Sequence, residues 1–385
     1  DPREPTADAR PLLATGGSSS ATGTAANFWA ANVGTETSGS ILSPANANML
    51  AAVKPTVGRV SRYGVIPITA DQDTPGPMAK SVTDAAILLG VLESVDANDP
   101  ATKTCTPPPN RDYTQYLKRD GLKGARIGIP RAFYYDKFTA PQIGDKVETP
   151  RGGLNPEQLK AMNEAIDILK AQGAVIVDPA DIPSVVDQDP KNNLLHWGVC
   201  TDLDDVKAKT CSIDFMYGME RDFNLWLASL GAAAPLKSLT ELRDWNTAHS
   251  KLGALKYGQS LLDVSDAVDL DLYRARYESD RANDVRLSAT HGIDEVMEAQ
   301  KLHALLFPAG FGASIAARPG YPTVMVPFAQ VPNAPTPALP ETFTAKPANF
   351  AVSFTGRPST EPTLLRLGYA SEQATKRRVP PPLFP

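Results

Sequence analysis

Cysteine and histidine are scarce in this chain of 385 residues, with three of the first and four of the second. Three cysteines do not make a disulfide framework, and none stands at metal-ligand spacing from a histidine. His196, His249, His291 and His303 are scattered, so no metal site is expected. Cys200 and Cys211 are close enough in sequence for one bridge, which leaves Cys105 odd. That pair keeps an exported location as open as a cytoplasmic one. Long apolar runs are also missing, so no membrane span is expected. No signal peptide is visible. Positive charge is in slight deficit, with a net charge of −5, which argues against nucleic acid as a main partner. The basic cluster Lys376-Arg377-Arg378 is short and reads as a solvated tail. The start, DPREPTADAR, lacks an initiating methionine and reads as that of a processed or partly represented protein.

What is present is ordinary for a globular protein: 42% hydrophobic and 21% charged residues. The length allows a large core, in one α/β domain or two. Proline is abundant, at 35 residues, and marks long ordered loops. Strand-like and helix-like signals alternate, as in an α/β layered fold. A helix is expected over 40–53, with Pro44 in its first turn and Pro55 as its stop. Residues 57–67 suggest a strand–turn pair broken by Gly58 and Gly64. Ser81 to Asp84 reads as a capping box before a helix to about Leu92. Residues 126–130, an amphipathic helix opened by Asn155-Pro156, and residues 174–177 suggest a parallel crossover unit. From 190 to 303 the pattern is mainly helical, and 216–252 could shape a substrate mouth or simply pack. Trp29, Trp197, Trp226 and Trp245 read as core or pocket-wall aromatics. Strands return at 304–308 and 323–326, and a last helix runs from about Ser359 to Gln373.

The chain is organised around residues 16–44. A serine cluster (Ser18, Ser19, Ser20) stands at one end and Thr35 to Ser40 at the other, with an Ala-rich spacer between them that can form a short helix. Glycine permits close approach and positive φ. Turns that lead into helices aim backbone N–H groups outward, where they can hold an anion. A serine nucleophile with an oxyanion hole needs that layout.

Four motifs stand in order: Gly16–Ser19, Gly34–Ile41, Lys54–Thr56 and Asp73–Met78. Together they resemble the amidase signature family. The likeness continues weakly through Gly320–Pro322 and the final helix (Gly356, Glu361, Glu372). Thr35 to Ile41, Ser61-Arg62 and Gln72 to Ala79 are most similar to bacterial peptide amidases, which remove a C-terminal carboxamide from peptides. The resemblance implies a central mixed β-sheet flanked by helices on both faces. It implies a single domain over 1–385 lacking its N-terminal part, with a catalytic core at 16–95 and a mainly helical subregion at 190–303.

The same resemblance implies an amide hydrolase with a Ser-Ser-Lys triad, acting on a carboxylic or peptide C-terminal amide and needing no metal or organic cofactor. Ser40 would be the nucleophile and Ser18 the bridging serine, held in the family by a cis peptide bond. Backbone N–H groups around Thr37, Ser38, Gly39 and Ser40 would form the oxyanion hole. Ser19 and Ser20 read as loop or helix-cap hydroxyls, Glu36 as a structural acceptor, and Asp73 and Thr74 as braces of the nucleophile loop. The family's lysine lies many residues before the Gly-Gly-Ser-Ser loop, on a segment outside this sequence, or the chain as it stands is inactive. Lys54 belongs to the Lys-Pro-Thr motif and reads as a helix-end charge. Two other readings stand beside this one: the amidase component of a tRNA-dependent amidotransferase, and a non-catalytic amide-binding homologue.

Overall fold

A computed structural model of the chain describes residues 17–104, 106–144, 147–256, 258–333 and 347–382. Gly16 and Cys105 lie outside them. Eight strands form one mixed sheet: β1 (Ala31–Glu36), β2 (Ala51–Lys54), β3 (Thr74–Ala79), β4 (Arg126–Gly128), β5 (Val175–Val177), β6 (Ala304–Pro308), β7 (Thr323–Val331) and β8 (Ala348–Thr355). Their spatial order is β1-β3-β2-β7-β8-β6-β4-β5. All neighbours are antiparallel except β6, β4 and β5, which run parallel.

Side chains alternate across a strand, and here the alternation separates two cores. Val53, Ala79, Val324, Val326, Val352 and Phe354 face one side of the sheet. There they meet helices α3 (Val82–Leu92) and α4 (Pro156–Ala171) and the last helix, Glu361–Thr375. Ala52, Met78, Met325 and Ala351 face the other side, against α1 (Ser20–Ala25) and α2 (Leu42–Ala47). Helices therefore cover both faces. The second core is built largely of alanine, which brings α1 and α2, and the serines beside them, close to the sheet.

The expected crossover is present: β4 and β5 pair in parallel around α4. Asn155 and Gln158 form a capping box at the start of α4. Ser81 caps α3 by accepting from the Asp84 N–H at 3.1 Å. The 190–303 region is mainly helical, with long helices at Asp214–Ser229 and Leu270–Val285. It carries its own small core around Ile213, Met216, Tyr217 and Val264. Cys200 and Cys211 are disulfide-bonded within it. Among the described residues no helix is long and apolar enough to cross a membrane.

Four expectations need correction. The helix expected over 40–53 covers only Leu42–Ala47. Asn48 returns its side-chain amide to the Pro44 carbonyl at 2.9 Å, and Met49 turns at φ 53°, so the chain can enter β2. The strand pair expected over 57–67 is absent; that stretch is a loop that bridges Val60 to Glu93 and donates the Val57 N–H to the Gly320 carbonyl at 3.0 Å. Its course follows side-chain pairs instead: Arg59 with Glu93 and Glu361, and Arg62 with Asp99. Lys54 is not a helix-end charge but the last residue of a buried strand. The basic cluster is not a free tail, because Arg377 pairs with Glu164 and lies over the Phe328 ring.

Candidate active site

Strand β1 ends at Glu36, and the chain bends through Thr37 to Ser40 before α2 begins. Gly39 sits at φ 87°, a conformation that costs other residues energy. Glu36 anchors the bend from behind. Its buried carboxylate accepts the N–H groups of Ile41 at 2.8 Å and Leu42 at 3.0 Å, just past Ser40. Thr37 donates its hydroxyl to Asp73, and the Ile68 N–H donates to the other Asp73 oxygen at 2.9 Å. Thr74 stands opposite Glu36 in the β1–β3 ladder. Ser38 is exposed and Ser40 half-buried, so this turn faces outward.

Ser18 is buried at the foot of α1. Its hydroxyl donates to the Thr35 carbonyl at 3.2 Å and accepts the Thr35 N–H at 3.1 Å. The serine loop thus docks on the strand that leads into the Ser40 turn. Glycine makes this docking possible. A Cβ at Gly17 would lie 2.6 Å from Ser40 Cβ and 2.7 Å from its Oγ. We therefore expect Gly17→Ala to displace Ser40 together with its backbone, lowering kcat about 100-fold and the melting temperature by a few degrees. Steady-state kinetics beside thermal melts would check this; an unchanged kcat would contradict it. Between the two serines, α1 and a left-handed turn at Asn27 take up the spacer, and Trp29 is fixed by donating to Thr24 at 2.7 Å.

Two details depart from expectation. The only cis peptide bond among the described residues is Asp178–Pro179, so Ser18 is joined by trans bonds. Ser19 is exposed and its side chain makes no cap bond, although it precedes α1; Ser20 instead accepts from Asn32 at 2.6 Å.

Electrostatics distinguish two groups. Burial raises the Asp73 carboxyl to about 6, against the bonds from Thr37 and Ile68 that favour its charged form. Protonation removes the charge that strengthens both bonds and reverses or weakens the one with Thr37. If turnover depends on the Thr37 brace, it falls as pH drops through about 6. We expect Asp73→Asn to remove that acid limb from the kcat profile; a limb persisting near the same pH would contradict the assignment. Burial also lowers the Lys54 ammonium to about 8, opposed by the charges of Glu36 and Glu361. A lysine so shifted has the character of a base. Yet its hydrogen bonds go to the carbonyls of Tyr321 at 2.7 Å and Pro55 at 3.1 Å, not to Ser18 or Ser40.

Sequence reasoning missed a further layer. The loop before Asp73 is clamped by the helical subregion. Asp222 accepts the Ala70 N–H at 2.7 Å, and Gln72 donates to Asp214 at 2.8 Å. Asp71 accepts from Tyr277 at 2.6 Å and from Arg221 at 3.0 Å. These partners lie some 140 to 210 residues away in sequence, and no local pattern announces them.

Taken together, the geometry offers an accessible hydroxyl on a rigid, glycine-bent turn, with a second buried hydroxyl on the loop packed against it. A sequence model of the family described as Amidase matches residues 5–365. A probable amidase of Arabidopsis thaliana is 29% identical over 366 residues, covering 94% of this chain and 60% of that protein. The chain therefore spans less than two thirds of that relative's length. One component of the glutamyl-tRNA(Gln) amidotransferase of Trichlorobacter lovleyi is 40% identical over 165 residues, covering 42% of this chain and 30% of that protein. Among solved structures, native peptide amidase from Stenotrophomonas maltophilia superposes with a TM-score of 0.74 at 32% identity, covering 97% of this chain and 68% of that one.

Proposed function

The chain belongs to the amidase signature family, and we propose that it carries the serine machinery of an amide hydrolase. Ser40 attacks the carbonyl carbon of a primary amide. Its proton passes to Ser18 and from there to a lysine N-terminal to the serine loop, the position that the family resemblance gives it. The carbonyl oxygen takes up charge beside the backbone N–H groups of Thr37, Ser38 and Gly39. The lysine returns that proton through Ser18 to the amide nitrogen as the C–N bond breaks, ammonia leaves, and water then releases the acyl group as a carboxylic acid, giving a proton back to Ser40. The observation that carries this reading is the docking of the Ser18 loop on the nucleophile turn, with Gly17 against Ser40. Likeness to the peptide amidase favours an extended, peptide-like acyl part.

Labelling with a serine-directed phosphonate tests it: the adduct is expected on the peptide that contains Ser40. An adduct on another serine, or none, would contradict the assignment. The identity with the glutamyl-tRNA(Gln) amidotransferase component favours a second reading, in which the chain supplies ammonia to a partner protein. That reading requires a stable heteromer, which sizing the protein alone and with its co-purifying partners would show.

A further inference from the structure

We propose that the cleft between the loop 62–73 and the helix Asp214–Ser229 seats an apolar side chain, of aromatic size, from the acyl part of the amide. This inference rests on the amide-hydrolase reading and adds a substrate class to it. The cleft has a volume of about 460 Å³. Asp73 lines it and also takes the Thr37 hydroxyl, so the cleft shares one residue with the brace of the Ser40 turn. Its walls carry Tyr63, Val65 and Pro67 on the loop and Leu225, Trp226 and Leu230 on the helical side. Tyr63 is 67% exposed and Leu225 64%. Large apolar groups left in water around one concave surface mark a place where apolar surface is to be covered.

The charged groups of the cleft are already engaged. Arg62 holds Asp99 through two nitrogens, at 2.7 and 2.8 Å. Asp222 accepts from Arg221 at 2.6 and 2.8 Å and from the Ala70 N–H. Asp73 is taken by Thr37 and Ile68. A charged ligand would have to displace one of these partners, whereas an apolar one need only cover Tyr63, Leu225 and Trp226. The bonds from the Ala70 N–H to Asp222 and from Arg221 to Asp71 tie the loop wall to the helix wall, so the cleft is formed before a ligand arrives.

Three primary amides test this: N-acetylglycinamide, N-acetylphenylalaninamide and N-acetyllysinamide. Their kcat/KM values are measured with the unaltered protein and with Leu225→Asp and Trp226→Ala, and their Kd values in each background with Ser40→Ala added, which leaves the amide intact. The phenylalanine amide is expected to be preferred over the glycine amide. Each cleft variant should lower that preference about tenfold, in kcat/KM and in Kd alike. Leu225 is too exposed for its replacement to threaten folding, whereas Trp226 stacks on Phe223, so a thermal melt accompanies both variants and Leu225→Asp decides if Trp226→Ala is destabilised. An unchanged preference in both variants, or a preference for the lysine amide that the variants abolish, would overturn the proposal. If none of the three is turned over but the Kd preference and its loss remain, the hydrolase reading fails and the cleft stands. Turnover with an unaltered preference has the opposite meaning.

Discussion

With Ser40 replaced by alanine, amide turnover should fall by at least about 10⁴-fold. A hydroxyl that forms the covalent intermediate cannot be replaced by a neighbour unless the neighbour reaches the same carbonyl. Ser18 is one candidate, but it is buried and its hydroxyl is held by both the N–H and the carbonyl of Thr35. Ser38 is exposed on the other side of Gly39. The fold should tolerate the change. Ser40 is half-buried, and the bend around it is held by Glu36, Thr37 and Asp73 rather than by its own side chain. Ammonia release measured with the melting temperature separates the two effects. Substrate binding should persist, since the backbone donors and the cleft walls are untouched. Retained turnover would mean that another group attacks.

Glu36→Leu should be the most damaging change to stability near the site, at about 3–5 kcal/mol. It leaves the N–H groups of Ile41 and Leu42 buried without their acceptor, and it removes one of the two carboxylates that oppose the buried charge of Lys54. Glu36→Gln keeps an acceptor and should recover much of the loss. The Lys54 charge gives a second readout. Its folded value, about 8, lies below the ordinary 10.5. Between these values the unfolded chain binds more protons, so this group's contribution to stability is full above the ordinary value and is lost as pH falls through about 8. Without Glu36 the folded value drops further, and the pH window over which stability climbs widens toward neutrality. Chemical denaturation between pH 7 and 10 would show the wider window; an unchanged slope would contradict the charge coupling.

Much of the fold was legible because its signals are local. The capping residues Ser81 and Asn155, and the strand–helix–strand run that ends at Val177, could be recognised from short patterns. Strand β8 was legible in principle, since Phe350, Val352 and Phe354 alternate onto one face. Strand β3 was not, because TPGPMA contains two prolines. It survives inside the sheet because β2 pairs only with Met78 and Ala79, beyond Pro75 and Pro77, whose missing N–H groups therefore break no bond to β2. At the site, Ser18 and Ser40 could be named from motif order. What they rest on could not. The clamp of residues 70–72 by Asp222, Arg221, Tyr277 and Asp214, and the burial of Lys54 beneath Tyr321, are made by residues distant in sequence.

Trapping the acyl intermediate tests the assignment of Ser40 most directly. A good amide substrate is mixed with the protein, the reaction is stopped with acid in the steady state, and the digested chain is weighed by mass spectrometry. The expected result is the mass of the acyl group, without ammonia, on the peptide that contains Ser40 and no such mass in the Ser40→Ala protein. An acyl group on Ser18 or on any other residue, or turnover that builds up no adduct while a phosphonate also leaves Ser40 unmodified, would contradict it.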